Sequence, residues 1–256
     1  MNLASRSRFQ DLFEEEKYVV LKNYLYNYRL RKRAVEKSIR VNDSDLILEV
    51  GSGISPMITD SDLIVYSELS LSGLQTLKHT HGKGWYVVAD ATRLPFRSEA
   101  FTYAVCSEVL EHIEDDRSAL KELARVLKPS GKLIITFPHR RFYFARDDHF
   151  VNHFRRYELD DMKDLLQGVG LRASSVKKVL GPLEKIAMWT AVLCFSSLDK
   201  GKRKKASATQ RGFLFHIWVV FFRVANRIFA GLAWLDARIV PLPLATVLLI
   251  RATKQE

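Results

Sequence analysis

Leu46-Ile47-Leu48-Glu49-Val50-Gly51-Ser52-Gly53 joins an apolar run to a turn that holds two glycines. A short run of this kind, stopped by glycine, reads as a strand buried on both faces of a sheet. The glycines let the backbone turn sharply and approach a ligand, and an acidic residue at the strand end offers acceptors to a ligand amine. By itself the turn is a weak signal, because any strand-to-helix connection can carry two glycines.

Its surroundings strengthen it. Four more apolar runs follow in order, Leu63–Tyr66, Trp85–Val88, Tyr103–Cys106 and Lys132–Phe137, with helical stretches between them. Alternation of that kind predicts a parallel α/β sheet. An amphipathic helix is expected over Asp115–Leu127, stopped by Lys128-Pro129-Ser130-Gly131, and another over Glu158–Gln167, stopped by Gly168 and Gly170. Two last strands are expected at Ala173–Leu180 and Ala245–Arg251. Ahead of the sheet, Leu12, Phe13, Tyr18, Leu21, Leu25, Tyr28 and Val35 recur at helical intervals within residues 9–40, which predicts an N-terminal helix. Tyr24, Tyr26 and Tyr28 are read as packing that helix on the domain, with a lid over a substrate site as the alternative. The chain therefore divides into a helical segment (1–44), an α/β core (45–181), an apolar basic helical insertion (182–243) and a last core strand with its tail (244–256).

Acids stand at the ends of successive strands. Glu68 ends the second, where a carboxylate can accept both hydroxyls of a ribose; Asp90-Ala91 follows the third, where a side chain and an amide can read an adenine edge. Together with residues 49–53 they make a nucleoside site at the carboxyl edge of the sheet, where open α/β sheets bind ligands.

Four stretches, Leu46–Gly53, Ala89–Phe96 (ADATRLPF), Ser107–Ile113 (SEVLEHI) and Arg125–Leu133 (RVLKPSGKL), resemble in that order the motifs of class I S-adenosylmethionine-dependent methyltransferases. The match is to the type 11 subgroup, related to enzymes of ubiquinone and menaquinone biosynthesis, and covers about residues 45–180 and the last strand. The resemblance implies a Rossmann-like α/β fold with a seven-stranded, mostly parallel sheet, an antiparallel last strand, and S-adenosyl-L-methionine as cofactor. It places Glu49, Gly51, Ser52 and Gly53 at the methionine part of that cofactor, Glu68 at the ribose, Asp90 with Ala91 at the adenine, and Ser107 and Glu108 beside the methyl group. Two departures stand out. The loop Gly51-Ser52-Gly53-Ile54-Ser55-Pro56 lacks the family's usual third glycine, and only 17 residues separate Gly51 from Glu68, against roughly 20 in typical doubly wound units. The helix between the first two strands is therefore expected to be short or replaced by a loop. The same loop lacks GxGxxG, which argues against a nicotinamide dehydrogenase.

The acceptor side is less sharply marked. Glu111 and His112 at a helix start are read as dipole-favouring and packing residues, with a role for His112 near the substrate as the alternative. After the fifth strand come Pro138-His139-Arg140-Arg141, Asp147-Asp148-His149 and His153-Phe154-Arg155-Arg156-Tyr157. One histidine, His153 or His149, is expected to serve as base or substrate ligand, with the arginines holding an anionic group. The resembling enzymes have a similar His…Arg-Tyr segment there. Methyl transfer from a sulfonium needs alignment and, for an oxygen acceptor, a proton acceptor, so no covalent nucleophile is required. No metal-ligand spacing is visible, and no metal is expected.

The net charge of +11 is uneven: residues 1–181 hold 28 Lys+Arg against 25 Asp+Glu, and residues 182–238 hold 10 against 3. That basic segment is also the most apolar, which fits an anionic membrane surface better than nucleic acid. Ile186–Leu198 is too short to span a bilayer. Phe213–Leu235 is long enough but contains Arg223 and Arg227, each costing about 2.5–3.5 kcal/mol at mid-span. His216, Arg223 and Arg227 share one helical face, the design of a helix lying in the interface. The expected partners are a small-molecule or lipid-linked acceptor and an anionic membrane surface. A homodimer interface or extra core is the competing use of the insertion, and a non-catalytic Rossmann-like binding protein is a third reading. Cys106 and Cys194 are too few for a disulfide framework and are expected to be buried thiols in a reducing compartment. With no secretory signal at Met1–Arg6, a cytoplasmic protein at the inner face of the membrane is expected.

Overall fold

The computed structural model describes residues 22–187 and 208–255. Seven strands, β1 (Ile47–Val50), β2 (Ile64–Glu68), β3 (Trp85–Val88), β4 (Phe101–Ser107), β5 (Leu127–Pro138), β6 (Leu171–Leu180) and β7 (Val247–Lys254), form one sheet in the order β3-β2-β1-β4-β5-β7-β6. The pairs among β1 to β5 are parallel, and β7 runs antiparallel to β5 and β6. The topology implied by the motif order is thus present. The α-helices with both ends among the described residues are α1 (Tyr26–Glu36), α2 (Leu71–His81), α3 (Asp116–Val126), α4 (Arg146–Phe150), α5 (Leu159–Gln167) and α6 (Ala208–Ile239).

Alternation along the central strands builds two apolar layers. Ala104, Cys106, Leu133 and Ile135 join Leu120 and Leu123 of α3 and Met162 and Leu166 of α5. Tyr103, Val105 and Ile134 point the other way, to Tyr28 and Leu30 of α1, Leu74 and Leu77 of α2 and Ala233 of α6. A sheet covered on both faces needs apolar residues at every position of its inner strands, which is why those strands read as unbroken runs. Cys106 lies in the first layer, where burial raises its thiol far above the ordinary range; Cys194 lies outside the described residues. Of the insertion, residues 188–207, with their Lys200–Lys205 cluster, also lie outside. Of its described residues, those of α6 pack on α1 and β6.

The tyrosines pack α1 in place. Tyr28 donates its hydroxyl to Pro56 O at 2.8 Å, Tyr26 meets Phe229 edge-on at 4.6 Å, and Arg223 lies over the Tyr24 ring.

Between β1 and β2 the chain runs as a loop with no helix, as the short spacing requires. Glu49 holds that loop from inside: its buried carboxylate accepts Met57 N at 2.7 Å and Ile58 N at 3.1 Å. Burial raises the Glu49 carboxyl from its ordinary 4.5 to about 7, against the two amide hydrogen bonds that favour the anion. The folded chain therefore retains a proton that the unfolded chain releases between those values, and stability from this group falls as pH rises through that window. The stability of wild type relative to Glu49→Gln should drop by up to about 3 kcal/mol between pH 4.5 and pH 8 in paired urea titrations. A difference independent of pH would show that Glu49 is ionised throughout.

Candidate active site

Strand order reverses between β1 and β4: the chain works outward through β2 and β3, then returns to add β4 and β5 on the other side. Loops leaving β1 and β4 diverge there and open a crevice at the carboxyl edge. The cofactor-side residues expected from sequence lie at or just past the ends of β1, β2, β3 and β4.

Gly51 and Gly53 both sit at positive φ, +71° and +53°. Gly51 N and Ser52 N donate to Ser67 O of β2, and Gly53 N donates to Glu68 Oε2 at 3.0 Å. Glu68 Oε1 accepts Leu69 N and Ser70 N, so this carboxylate is fixed at the lip of the glycine loop. Asp90 accepts the amide and hydroxyl of Thr92 in a tight turn ending at Arg93, with Ala91 buried beneath. Ser107 Oγ lies 2.8 Å from Thr136 Oγ1. Glu108, itself at φ +55°, approaches Arg31 Nη1 to 3.2 Å. Glu49, by contrast, presents its carboxylate to the loop amides. The buried Oγ atoms of Ser52, Ser55 and Ser67 and Glu108 Oε1 have no protein hydrogen-bond partner. Orphaned polar atoms beside two positive-φ glycines fit a polar ligand laid along this edge.

Two residues of the N-terminal helical segment enter the site without a sequence signal. Lys22 Nζ stands 3.2 Å from where a Cβ on Gly53 would be; burial, then Arg31, lower its amine to about 8, while Glu68 and Glu49 favour its charge. Arg31 reaches Glu108 from α1.

The acceptor half is built by a loop folding back. Phe154 N donates to Glu111 O at 2.8 Å, which carries His153 to the short 3-10 helix Leu110–His112. Its ring then packs edge-on against His112 at 4.6 Å, with Nε2 3.8 Å from Glu111 Oε1 and Nδ1 2.8 Å from Asp148 Oδ1. Asp148 also accepts Arg156 Nε, Lys185 Nζ and Ala145 N. Burial opposes the Asp148 anion, but the hydrogen bonds from His153 and Arg156 hold its carboxyl well below the ordinary range. Burial, with Glu108 nearby, pushes the Glu111 carboxyl well up. Burial and the neighbouring His153 lower the His112 ring to about 4.

His153 is therefore the histidine brought inside, and His112 is its neighbour. His149 is exposed on the far side of α4 contacts, with its ring against Phe144. The arginines expected to hold an anion are engaged by the protein: Arg140 by Glu158, Arg141 by Asp161, Arg155 by Asp116 and Arg156 by Asp148. Acids on α3, on α4 and at the start of α5 supply the counter-charges, which is the physical reason for that difference. Although the sequence shows no metal-ligand spacing, Glu111, His112 and His153 place donor atoms within 4.8 Å of one another, the first and last 42 positions apart.

Residues 48–135 match a family model described as methyltransferase domain. A demethylmenaquinone methyltransferase of Streptomyces griseus subsp. griseus is 32% identical over 111 residues, covering 42% of this chain and 48% of that protein. The chain thus spans about half the length of that relative. Among solved structures, a SAM-dependent methyltransferase of Thermotoga maritima superposes with TM-score 0.61 at 16% identity, covering 98% of this chain and 99% of the other. The 1,6-didemethyltoxoflavin-N1-methyltransferase of Burkholderia thailandensis, solved with S-adenosylhomocysteine, gives TM-score 0.59 at 13% identity over 98% and 87%.

The two glycines differ in what holds them. A Cβ on Gly51 would collide with the Val109 side chain, whereas one on Gly53 meets only the flexible end of Lys22. Gly51→Ala should therefore lose at least about 2 kcal/mol of stability from strain and collision, recovered in part by Val109→Ala. Gly53→Ala should cost roughly 1 kcal/mol. Equal losses in urea unfolding would contradict this placement.

Proposed function

We propose, from the premise that residues 48–135 form a methyltransferase domain of the class I S-adenosylmethionine-dependent family, that this protein methylates an amphiphilic acceptor at a membrane surface. The observation that carries the transfer reaction is the row of ligand-ready groups on adjoining strand ends: the Gly51–Gly53 turn, Glu68, and Asp90 with Ala91. Glu68 would receive the ribose hydroxyls, Asp90 and the Ala91 amide the adenine, and the glycine loop with Lys22 the methionine end. Lys22 gives that end a cation suited to a ligand carboxylate.

When bound, the cofactor supplies an activated methyl group on a sulfonium, which an acceptor attacks in line as the thioether leaves. The protein's part is alignment, exclusion of water and removal of the acceptor's proton. Ser107 and Glu108 lie at the end of β4, facing the reacting end, with Arg31 holding Glu108. The cluster built on Glu111 and His153 takes up the proton of an oxygen acceptor, with Asp148 fixing the imidazole so that Nε2 faces inward.

The amphiphilic character of the acceptor is supported by α6. Phe221, Val224, Ile228, Leu232, Leu235 and Ile239 are all exposed, from 46% to 72%, at intervals that align on one helical face about 27 Å long. Arg223, Arg227 and Arg238 follow on the adjoining face, also exposed. The opposite face, with Phe229, Ala230 and Ala233, packs on the domain. A helix docked on one side, apolar on the other and basic between them suits the interface of an anionic bilayer. No helix among the described residues is long and apolar enough to cross a membrane. A quinone precursor is the acceptor type favoured by the named relative; a lipid-linked sugar or lipid head group has the same amphiphilic form.

Asp90→Ala and Glu68→Ala should weaken S-adenosylhomocysteine binding at least about tenfold in calorimetry, while His153→Ala should leave it unchanged and slow turnover by roughly a hundredfold or more. Turnover would be followed with labelled S-adenosylmethionine and a cell-envelope extract. Absence of binding by the wild-type chain would overturn the reading. Replacing Phe221 and Ile228 together by Asp should abolish cosedimentation with phosphatidylglycerol vesicles without affecting cofactor binding; equal sedimentation of variant and wild type would remove the membrane part of the proposal.

A further inference from the structure

Glu111 is 0% exposed, and neither of its carboxylate oxygens has a hydrogen-bond partner in the protein. Glu49 meets two amides and Asp148 four donors, and Glu184 lacks a partner at one oxygen only, whereas Glu111 lacks one at both. A carboxyl left bare in the interior either keeps its proton or needs a positive group to meet its anion. The groups aimed at it are imidazoles: His153 Nε2 is 3.8 Å from Oε1, and the donor atoms of Glu111, His112 and His153 all lie within 4.8 Å of one another.

We infer that Glu111, His112 and His153 form a binding site for a divalent transition cation of the zinc class. Two imidazoles and one carboxylate are the donor types such cations take, in a number that leaves a coordination position open. The support around His153 has the matching form. Asp148 carries four donors and can only accept, so His153 Nδ1 bears the proton and Nε2 presents its lone pair to the cluster. A ligand histidine oriented through its other nitrogen by a carboxylate is the usual outer shell of a metal site. Glu111 and His112 are set by the 3-10 helix after β4, and His153 by the bond from Phe154 N to Glu111 O. All three donors thus stand on backbone fixed by hydrogen bonds.

The site lies at the carboxyl edge, three residues beyond Glu108. Resting on the methyl-transfer reading, its task would be to bind the acceptor's oxygen in the open position. With a cation bound, the hydroxyl proton would pass to water in place of the metal-free cluster, and the held oxygen would attack the sulfonium methyl, forming the O–CH3 bond as the S–CH3 bond breaks and S-adenosylhomocysteine leaves as a neutral thioether. His153 then serves as a ligand, and loss of its ring still stops turnover.

The test is titration of the full chain, stripped with chelator, with zinc chloride by calorimetry and with cobalt(II) by visible absorption. The expected result is one equivalent bound with micromolar or tighter affinity, and a cobalt spectrum of low coordination number. Glu111→Gln and His153→Gln should each weaken binding more than tenfold, and Asp148→Asn by about 10- to 100-fold. Circular dichroism and S-adenosylhomocysteine binding identify any variant that fails to fold, with His112→Gln as a second probe of the same site. No binding, or binding undiminished in the folded Glu111 and His153 variants, overturns the site. S-adenosylhomocysteine binding without zinc binding would remove this inference and leave the methyltransferase reading in place; zinc binding without S-adenosylhomocysteine binding would do the reverse.

Discussion

Because β1 to β5 run parallel, their carboxyl ends stand on one edge, and the crossovers part between β1 and β4 so that no connection covers the gap. Register then fixes what meets there. Val50 lies beside Ser67 and Cys106, and Cys106 beside Ile135, so Gly51, Glu68, Ser107 and Thr136 stand in one row at or near the carboxyl edge. Strands spaced about 4.8 Å apart put those four positions within the length of a nucleoside ligand. Every functional group must come from residues just past a strand end or from chain that folds over the edge.

Groups of the first kind were legible in the sequence, and groups of the second kind were not. Gly51, Glu68 and Asp90 directly follow apolar runs, so locating the strands also located the residues. The short Gly51-to-Glu68 interval likewise announced the helix-free connection. Lys22 and Arg31 belong to the helical segment ahead of the sheet, and their arrival at Gly53 and Glu108 depends on how α1 packs, which no local spacing encodes. His153 and Glu111 meet through one backbone hydrogen bond between distant loops. His149 and the loop arginines had the same residue types in the same stretch, yet the first faces outward and most of the others are consumed by nearby carboxylates. Composition could find the loop; only tertiary pairing could sort its members.

Three buried acids show how pairing separates structural from chemical roles. Glu49 meets two loop amides and so replaces the missing helix as the brace between β1 and β2. Asp148 gathers His153, Arg156, Lys185 and the Ala145 amide, tying the loop after β5 to the chain after β6. A buried anion with that many donors is an anchor, since removing any one partner exposes the charge to an apolar surround. Glu111 has the same burial and none of those bonds. Its unmet demand, beside two imidazoles, sets it apart from the two acids that hold the fold.

The position of α6 joins its exposed face to this edge through a single intervening helix. Asn226 accepts Tyr26 N, and Phe229 packs on the Tyr26 ring, so the start of α1 is fixed by α6. One and a half turns later the same helix extends Arg31 to Glu108 at the end of β4. α1 is short, packed on both sides and hydrogen-bonded to the β1–β2 loop through Tyr28, so it transmits position more readily than it bends. A surface that seats the apolar stripe of α6 therefore stands one helix away from the reacting edge. On the proposed reading, an acceptor with an apolar tail and a polar head would have its head at the strand ends while its tail stayed beside the exposed stripe of α6.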